Sequence, residues 1–186
     1  MKETVLLFCG PAASGKDTLL NAFQQYCIDH HYDFHRIVCD TTRPMRDHEV
    51  DGVDYYFLSQ NDFLNKYPQQ YITATEFRHW FYGIDKTEIR ANKINLCIGT
   101  LSDIINLHEA GYNVIPVYLQ VSTYTRMKRY YHRTGHITFE QIRRCLTDTA
   151  DFQNFDLLLK LNVPQYVVLK DTNIDRNCAK IAQYVL

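Results

Sequence analysis

The sequence predicts a three-layer α/β fold: a parallel core sheet between helices, with a small antiparallel β subdomain inserted and a helical lid attached. Three observations lead there. Short β-branched runs alternate with helical patterns, the arrangement expected of successive β-α-β units. The stretch Gly10-Pro11-Ala12-Ala13-Ser14-Gly15-Lys16-Asp17-Thr18 stands between the apolar run Val5-Leu6-Leu7-Phe8 and an amphipathic segment opening at Leu19. The interval from residue 39 to residue 93 breaks the alternation with short aromatic-rich runs.

Core strands are expected at about Thr4–Cys9, His35–Cys39, Ile94–Ile98, Asn113–Gln120 and Tyr166–Leu169, where apolar and β-branched residues cluster. Helices are expected at Lys16–Asp29, at Ser102–Ala110 with Gly111 as its stop, from about Thr123, and from Ile174. Between the second and third strands, Asp51–Leu58 and Tyr71–Phe77 read as strands of a small antiparallel sheet able to close over a substrate. The chain is expected to form one unit, with core segments 1–38, 94–122 and 146–186, an insertion at 39–93 and a lid at 123–145.

Residues 10 to 18 carry the most chemistry. They fit G-x-x-x-x-G-K-[ST] except at the last position, where Asp17 replaces the hydroxyl residue. A strand before and a helix after make this a phosphate-binding P-loop and the whole a P-loop NTPase fold. Glycines let successive N–H groups converge, the helix adds its positive end, and Lys16 reaches the β- and γ-phosphates. ATP is thus the expected phosphate donor, with Gly10 to Thr18 around its phosphates and Mg²⁺ as its counterion. Thr18 can supply the missing hydroxyl, and the metal ligand is left unknown, with Asp17 a candidate.

Composition limits the alternatives. Twenty basic and twenty-one acidic residues among 186 leave a net charge of −1, so nothing overall points to nucleic acid or to a membrane surface. The six cysteines show no C-x-x-C pair or metal-ligand spacing, as expected of reduced thiols in a cytoplasmic protein. No signal peptide and no bilayer-spanning run is read from the sequence. His30, His31 and His35 read as a polar helix end rather than a metal cluster.

Two further groups are cationic. Thr41-Thr42-Arg43-Pro44-Met45-Arg46 places two guanidinium forks beside hydroxyls, a combination suited to a phosphate dianion. Arg126, Lys128, Arg129, Arg133, Arg143 and Arg144 lie on helical spacing around Thr134-Gly135, a short basic hairpin whose interleaved aromatics are limited to Tyr130 and Tyr131, which disfavours nucleic acid and suits a lid over ATP.

The P-loop in its Gly-Pro-x-x-x-Gly-Lys form, Thr41-Thr42-Arg43-Pro44-x-Arg46, Glu49-Val50-Asp51-Gly52-Val53-Asp54-Tyr55 and Tyr82-Gly83 together resemble the guanylate kinase family in order and interval. The resemblance implies phosphoryl transfer from ATP to GMP. It makes Lys16, Arg43, Arg129, Arg133 and one of Arg143 and Arg144, with Arg144 chosen, the catalytic cations. It also implies an acceptor site at Cys39, Arg43, Arg46, Tyr55, Thr73, Tyr82 and Cys97. Thr73 and Cys97 stand where family members carry carboxylates that read guanine, and Gly99 stands where the family has an acidic residue near the metal, so either waters and the nucleotide hold the metal or Asp17 or Asp40 takes that part. Gly-Lys-Asp in the P-loop, the non-acidic strand and Pro116–Ser122 are similar to the ribose 1,5-bisphosphate phosphokinases. A non-catalytic guanylate-kinase-like binding module is the third reading, set against the intact P-loop and lid arginines. Lys170-Asp171 is similar to the family's Asn-Asp at the adenine pocket. The expected partner is a small phosphate-bearing acceptor, and whether the chain forms a homodimer is left open.

Overall fold

In the computed structural model, which describes residues 2–77, 79–170 and 173–185, the first strand β1 (Thr4–Cys9) is solvent-free from Val5 onward. It lies at the centre of a parallel sheet, so both of its faces are apolar. Leu6 and Phe8 point into one core with Leu20, Phe23, Leu96 and Ile181, while Val5 and Leu7 point into another with Ile104, Leu107 and Leu159. The alternation is the period of two that a strand imposes.

The other elements are α1 (Lys16–Asp29), β2 (Phe34–Arg36), β3 (Asp40–Thr41), β4 (Tyr56–Phe57), α2 (Gln60–Lys66), β5 (Tyr71–Phe77), β6 (Trp80–Asp85), β7 (Ile94–Ile98), α3 (Leu101–Glu109), β8 (Asn113–Leu119), α4 (Thr123–Thr134), α5 (Phe139–Asp151), α6 (Phe155–Asn162), β9 (Val167–Leu169) and α7 (Ile174–Val185). The core sheet runs β2-β7-β1-β8-β9, parallel throughout. Helices α1 and α7 pack on one face, and α3 and α6 supply residues to the other core. The predicted α/β architecture is therefore present.

Several boundaries differ from the expected ones. The second strand ends at Arg36 rather than Cys39. Ile37 N–H still donates to Leu96 O, but Val38 N–H turns to the Glu88 carboxylate at 3.1 Å, and Cys39 O accepts from Tyr56 N–H. The chain thus leaves the core sheet for the second one. That second sheet, β4-β3-β6-β5, is mixed rather than antiparallel, because β3 and β4 pair in parallel. The 14 residues between them, 42–55, form an excursion instead of a hairpin. Of Asp51–Leu58, only Tyr56 and Phe57 are strand, with one bridge between Asp51 and Tyr55.

Two helices were not anticipated from the sequence. Helix α2 is seven residues long, too short to establish a 3.6-residue period, although Ser59 caps it by accepting from Asp62 N–H. In α6 the run Leu157-Leu158-Leu159 hides the period. Helix α3 starts one residue early, at Leu101, because Thr100 and Asp103 form a capping box. It stops as expected: Gly111 has φ +95°, its N–H donates to His108 O, and Tyr112 N–H reaches back to Leu107 O.

Candidate functional site

Strand β1 delivers its last buried residue, Cys9, directly to Gly10. At φ +148° a side chain on Gly10 would place its Cβ 2.9 Å from Leu119 O, so only glycine lets the turn lie this close to β8. Ser14 N–H closes the loop on Pro11 O at 3.2 Å, and Ala13, at φ +59°, reverses the backbone. Gly15 caps α1 at φ +93°, and the first N–H groups of the helix open into the concavity. Ser14 Oγ is buried there without a hydrogen-bond partner among the described residues. Such a nest of amides with an orphan hydroxyl fits the oxygens of a polyphosphate.

Lys16 folds back over the loop, its Nζ donating to Gly10 O at 2.9 Å and Pro11 O at 3.1 Å. Burial pushes its pKa down, partly offset by the negative charges of Asp17 and Asp148 and reinforced by Arg144. One amide of the nest is already taken: Ala12 N–H donates to Asp148 Oδ2 at 2.7 Å. A carboxylate from α5 thus stands where an anionic ligand oxygen would go.

Two cavities flank the loop. The first, about 390 Å³, is lined by Gly10, Lys16, Tyr55, Tyr82, Asp103 and Arg144 among others. The second, about 450 Å³, includes Gly15, Thr18, Arg129, Arg133, Leu169 and Asn177 in its walls. Among the expected lid cations, Arg129 reaches the P-loop itself, donating to Ala13 O at 3.1 Å and Ser14 O at 2.5 Å. Arg144 faces the first cavity, its Nε buried with no hydrogen-bond partner among the described residues, whereas Arg143 pairs with Glu140 at the surface. Arg126 is structural: 1 % exposed, it bonds Cys145 O, Thr149 Oγ1 and Thr123 Oγ1 and pairs with Asp148, tying α4 to α5. The basic hairpin therefore does not present one solvated cationic face.

The acceptor residues expected from the sequence divide into three sets. Cys39, Tyr55 and Tyr82 line the first cavity, the two rings meeting edge-on at 6.1 Å. Burial raises the Tyr55 pKa, so its phenol stays a donor. Arg43 packs against the Tyr55 ring at 5.5 Å and is held by Glu49 through bonds of 2.8 and 3.0 Å. Burial disfavours the Glu49 charge, but the Arg43 fork and Arg46 N–H outweigh it and hold the carboxyl below its usual range. Arg46 lies 3.6 Å from Glu49 with its side chain 59 % exposed, outside the cavity lining.

Thr73 and Cys97 sit behind the wall. Thr73 donates to Asp103 Oδ1 at 2.7 Å and accepts from Asn106 at 3.1 Å. Cys97 Sγ lies 3.5 Å from Cys39 Sγ. A Cβ on Gly99 would fall 3.0 Å from Asp103 Oδ2, so the carboxylate missing from the strand is replaced in space by one from the first turn of α3. Asp103 and Asp148 are the two carboxylates lining the first cavity that sequence reasoning missed. The Thr100-x-x-Asp103 spacing was a visible capping signal, whereas nothing local marks Asp148.

For a metal, the described residues hold no group of three or more His, Cys, Asp or Glu side chains arranged to bind one. Asp40 is 1 % exposed and is not in the lining of either cavity; its Oδ2 is held by Lys66 and by Tyr71 OH at 2.7 Å, and its Oδ1 is buried without a hydrogen-bond partner among the described residues. Asp17 is exposed in the first turn of α1, and its charge bears on both Lys16 and Tyr55. It fits a magnesium ion shared with phosphates, which needs only one or two protein carboxylates. The histidines form no cluster: His30 stacks on Tyr26, and His35 approaches Glu88 at 3.4 Å. Asp171, expected at the adenine side, lies outside the described residues.

The guanylate kinase family model matches residues 1–185. Guanylate kinase of Lawsonia intracellularis is 38 % identical over 81 residues, 43 % of this chain and 36 % of that protein. That of Chlamydia felis is 36 % identical over 85 residues, 42 % of this chain and 38 % of its own length. These matches span less than two thirds of either relative. Guanylate kinase of Caulobacter vibrioides is 28 % identical over 194 residues, covering 96 % of this chain and 82 % of that one. Among solved structures, guanylate kinase from Anaplasma phagocytophilum shares the fold, with a TM-score of 0.69 at 17 % identity over 99 % of this chain and 84 % of its own. With a family match that reaches all but the last of its residues, this chain belongs to the guanylate kinase family.

Proposed function

We propose that the protein transfers the γ-phosphoryl group of Mg·ATP to the phosphate of a small acceptor of the GMP class. The observation that carries this reading is the P-loop's position as a wall shared by two cavities. One holds Lys16, Arg144 and the tyrosine pair, and the other holds Arg129 and Arg133. The second cavity takes ATP, with its phosphates on Gly10 to Thr18. The first takes the acceptor, with Tyr55 and Tyr82 donating to its phosphate and the Arg43–Glu49 pair positioning Tyr55. The insertion 39–93 and the lid 123–145 close on the two guests.

An acceptor phosphate is already an anion, so the reaction needs no general base. Lys16, Arg129, Arg133 and Arg144 supply position and positive charge around the migrating group. Magnesium, with Asp17 as its protein ligand, would neutralise charge on the β- and γ-oxygens. Lid closure keeps water from competing as acceptor. Among the described residues no helix is long and apolar enough to cross a membrane, and the six free thiols suit a cytoplasmic site of action.

The test is ADP release with GMP, other nucleoside monophosphates and ribose 1,5-bisphosphate in parallel. Turnover is expected with a monophosphate nucleotide, and Lys16→Ala should lower kcat by about 10²–10³, as loss of one preorganised charge contact does. Preference for ribose 1,5-bisphosphate would fit the residues Thr73, Cys97 and Gly99, which bring no carboxylate to the positions where the guanylate kinases carry one. Binding of ATP with no turnover on any acceptor would refute the kinase reading.

A further inference from the structure

Two thiols meet beside the first cavity. Cys97 lies in β7 and is 1 % exposed, and Cys39, half-buried, lines the cavity where the chain passes from β2 to β3. Their sulfurs are 3.5 Å apart. The Cys97 thiol donates to Ile98 O at 3.3 Å, which leaves its sulfur as acceptor for the Cys39 thiol. Just before this point the two strands are still paired, Ile37 N–H donating to Leu96 O at 2.9 Å. Closing from 3.5 Å to a bond of about 2.05 Å asks each sulfur to move by roughly 0.7 Å.

We propose that Cys39 and Cys97 form a modification site for hydroperoxides, joined on oxidation by a disulfide that disables the first cavity. The Cys39 thiolate attacks the peroxide, the O–O bond breaks, and Cys39 becomes a sulfenic acid as hydroxide leaves. Cys97 sulfur then attacks Cys39 sulfur; the S–O bond breaks, and the departing hydroxide takes the Cys97 proton as water. The first hydroxide takes the proton that Cys39 gave up, so with hydrogen peroxide two thiols lose two electrons in all, the peroxide is reduced and two waters form; an organic hydroperoxide gives one alcohol and one water.

The order follows from access. Cys39 opens on the cavity, whereas the contact with Cys39 and burial together push the Cys97 thiol's pKa well up, so Cys97 acts second. The consequence is local to the acceptor side. Cys39 O holds Tyr56 N–H at 3.0 Å, and the next residues form β3, so drawing Cys39 toward β7 pulls on the second sheet. The P-loop begins three residues beyond Leu7, the register partner of Cys97, and borders the same cavity, but it contributes no atom to the bond.

The disulfide itself is independent of the activity assigned above; only its effect on the acceptor rests on that reading. Reduced protein is treated with one equivalent of hydrogen peroxide, its remaining thiols are blocked, and it is digested without reductant for mass spectrometry. A cross-linked peptide pair containing Cys39 and Cys97, lost on adding dithiothreitol, is expected. In Cys97→Ser, a dimedone adduct on Cys39 should accumulate instead. Oxidation should raise the acceptor KM by at least tenfold, leave ATP affinity unchanged, and be reversed by dithiothreitol. The proposal is overturned if other cysteines are oxidised while this pair stays reduced, or if the cross-link forms with acceptor KM intact. Should no acceptor be turned over at all, the peptide map still decides the modification, and the failure lies with the assigned activity.

Discussion

The bond from Ala12 N–H to Asp148 competes with any anion that would occupy the loop. At 2.7 Å, with the Asp148 side chain 13 % exposed, this is a charge-assisted hydrogen bond of the kind that contributes about 1.5–3 kcal/mol net. Taking the lower figure, the amide is free in roughly one molecule in thirteen, and an anion that needs it binds about tenfold more weakly than to an open loop. Asp148→Ala removes the competitor and should tighten ATP binding by about tenfold. Asp148→Asn keeps an acceptor of about half the strength and should give about threefold. Arg126 loses its counterion in both variants but keeps Thr123, Cys145 O and Thr149 as acceptors, so both should fold. Isothermal titration of ATP against each variant, with a melting curve as control, reads the effect. Unchanged or weaker ATP binding in two folded variants would show that Asp148 does not occupy the phosphate position.

Two more outcomes follow from particular side chains. Arg144→Ala should reduce kcat by at least about tenfold while Arg143→Ala leaves it near the parent value, since Arg144 faces the first cavity and Arg143 is paired with Glu140 in solvent; equal losses in steady-state assays would contradict the assignment. Glu49 and Asp85 have carboxyl pKa values held below the ordinary range: burial opposes this, but hydrogen bonds from Arg43 and from Lys66, respectively, prevail. Such groups contribute stability that is present above their unfolded values of about 4 and is lost as pH falls through the lower folded ones. Glu49→Gln should therefore flatten the acid limb of a plot of Tm against pH below about 4; an unaltered limb would exclude the Arg43–Glu49 pair as a source of stability.

Much of the molecule is local and was therefore legible. Helix α1 occupies the predicted span Lys16–Asp29, because the strand, the glycines and the amphipathic run that define it are contiguous. Gly111 stops α3 for the same reason. What escaped depends on distant partners. Strand β2 ends early because Glu88, fifty residues on, captures Val38 N–H. Arg126 reads as one more cation of a basic hairpin, yet acceptors on α5 draw it inside. Asp103 and Asp148 reach the first cavity only once α3 and α5 are docked, and the meeting of Cys39 with Cys97 spans fifty-eight positions. Residue type and spacing announce the phosphate nest, whereas tertiary packing decides which carboxylates and thiols look into the space beside it.

The loop from Gly10 to Lys16 is a partition with a room on either side, and each room has its own fittings. A guest in one need not pass through the other, so neither has to arrive first. In double-reciprocal plots that arrangement appears as lines that cross, not the parallel set of an enzyme that carries the transferred group on itself between visits. It also means that sealing one room, by a bond between two sulfurs or by any other means, leaves the other tenant in residence.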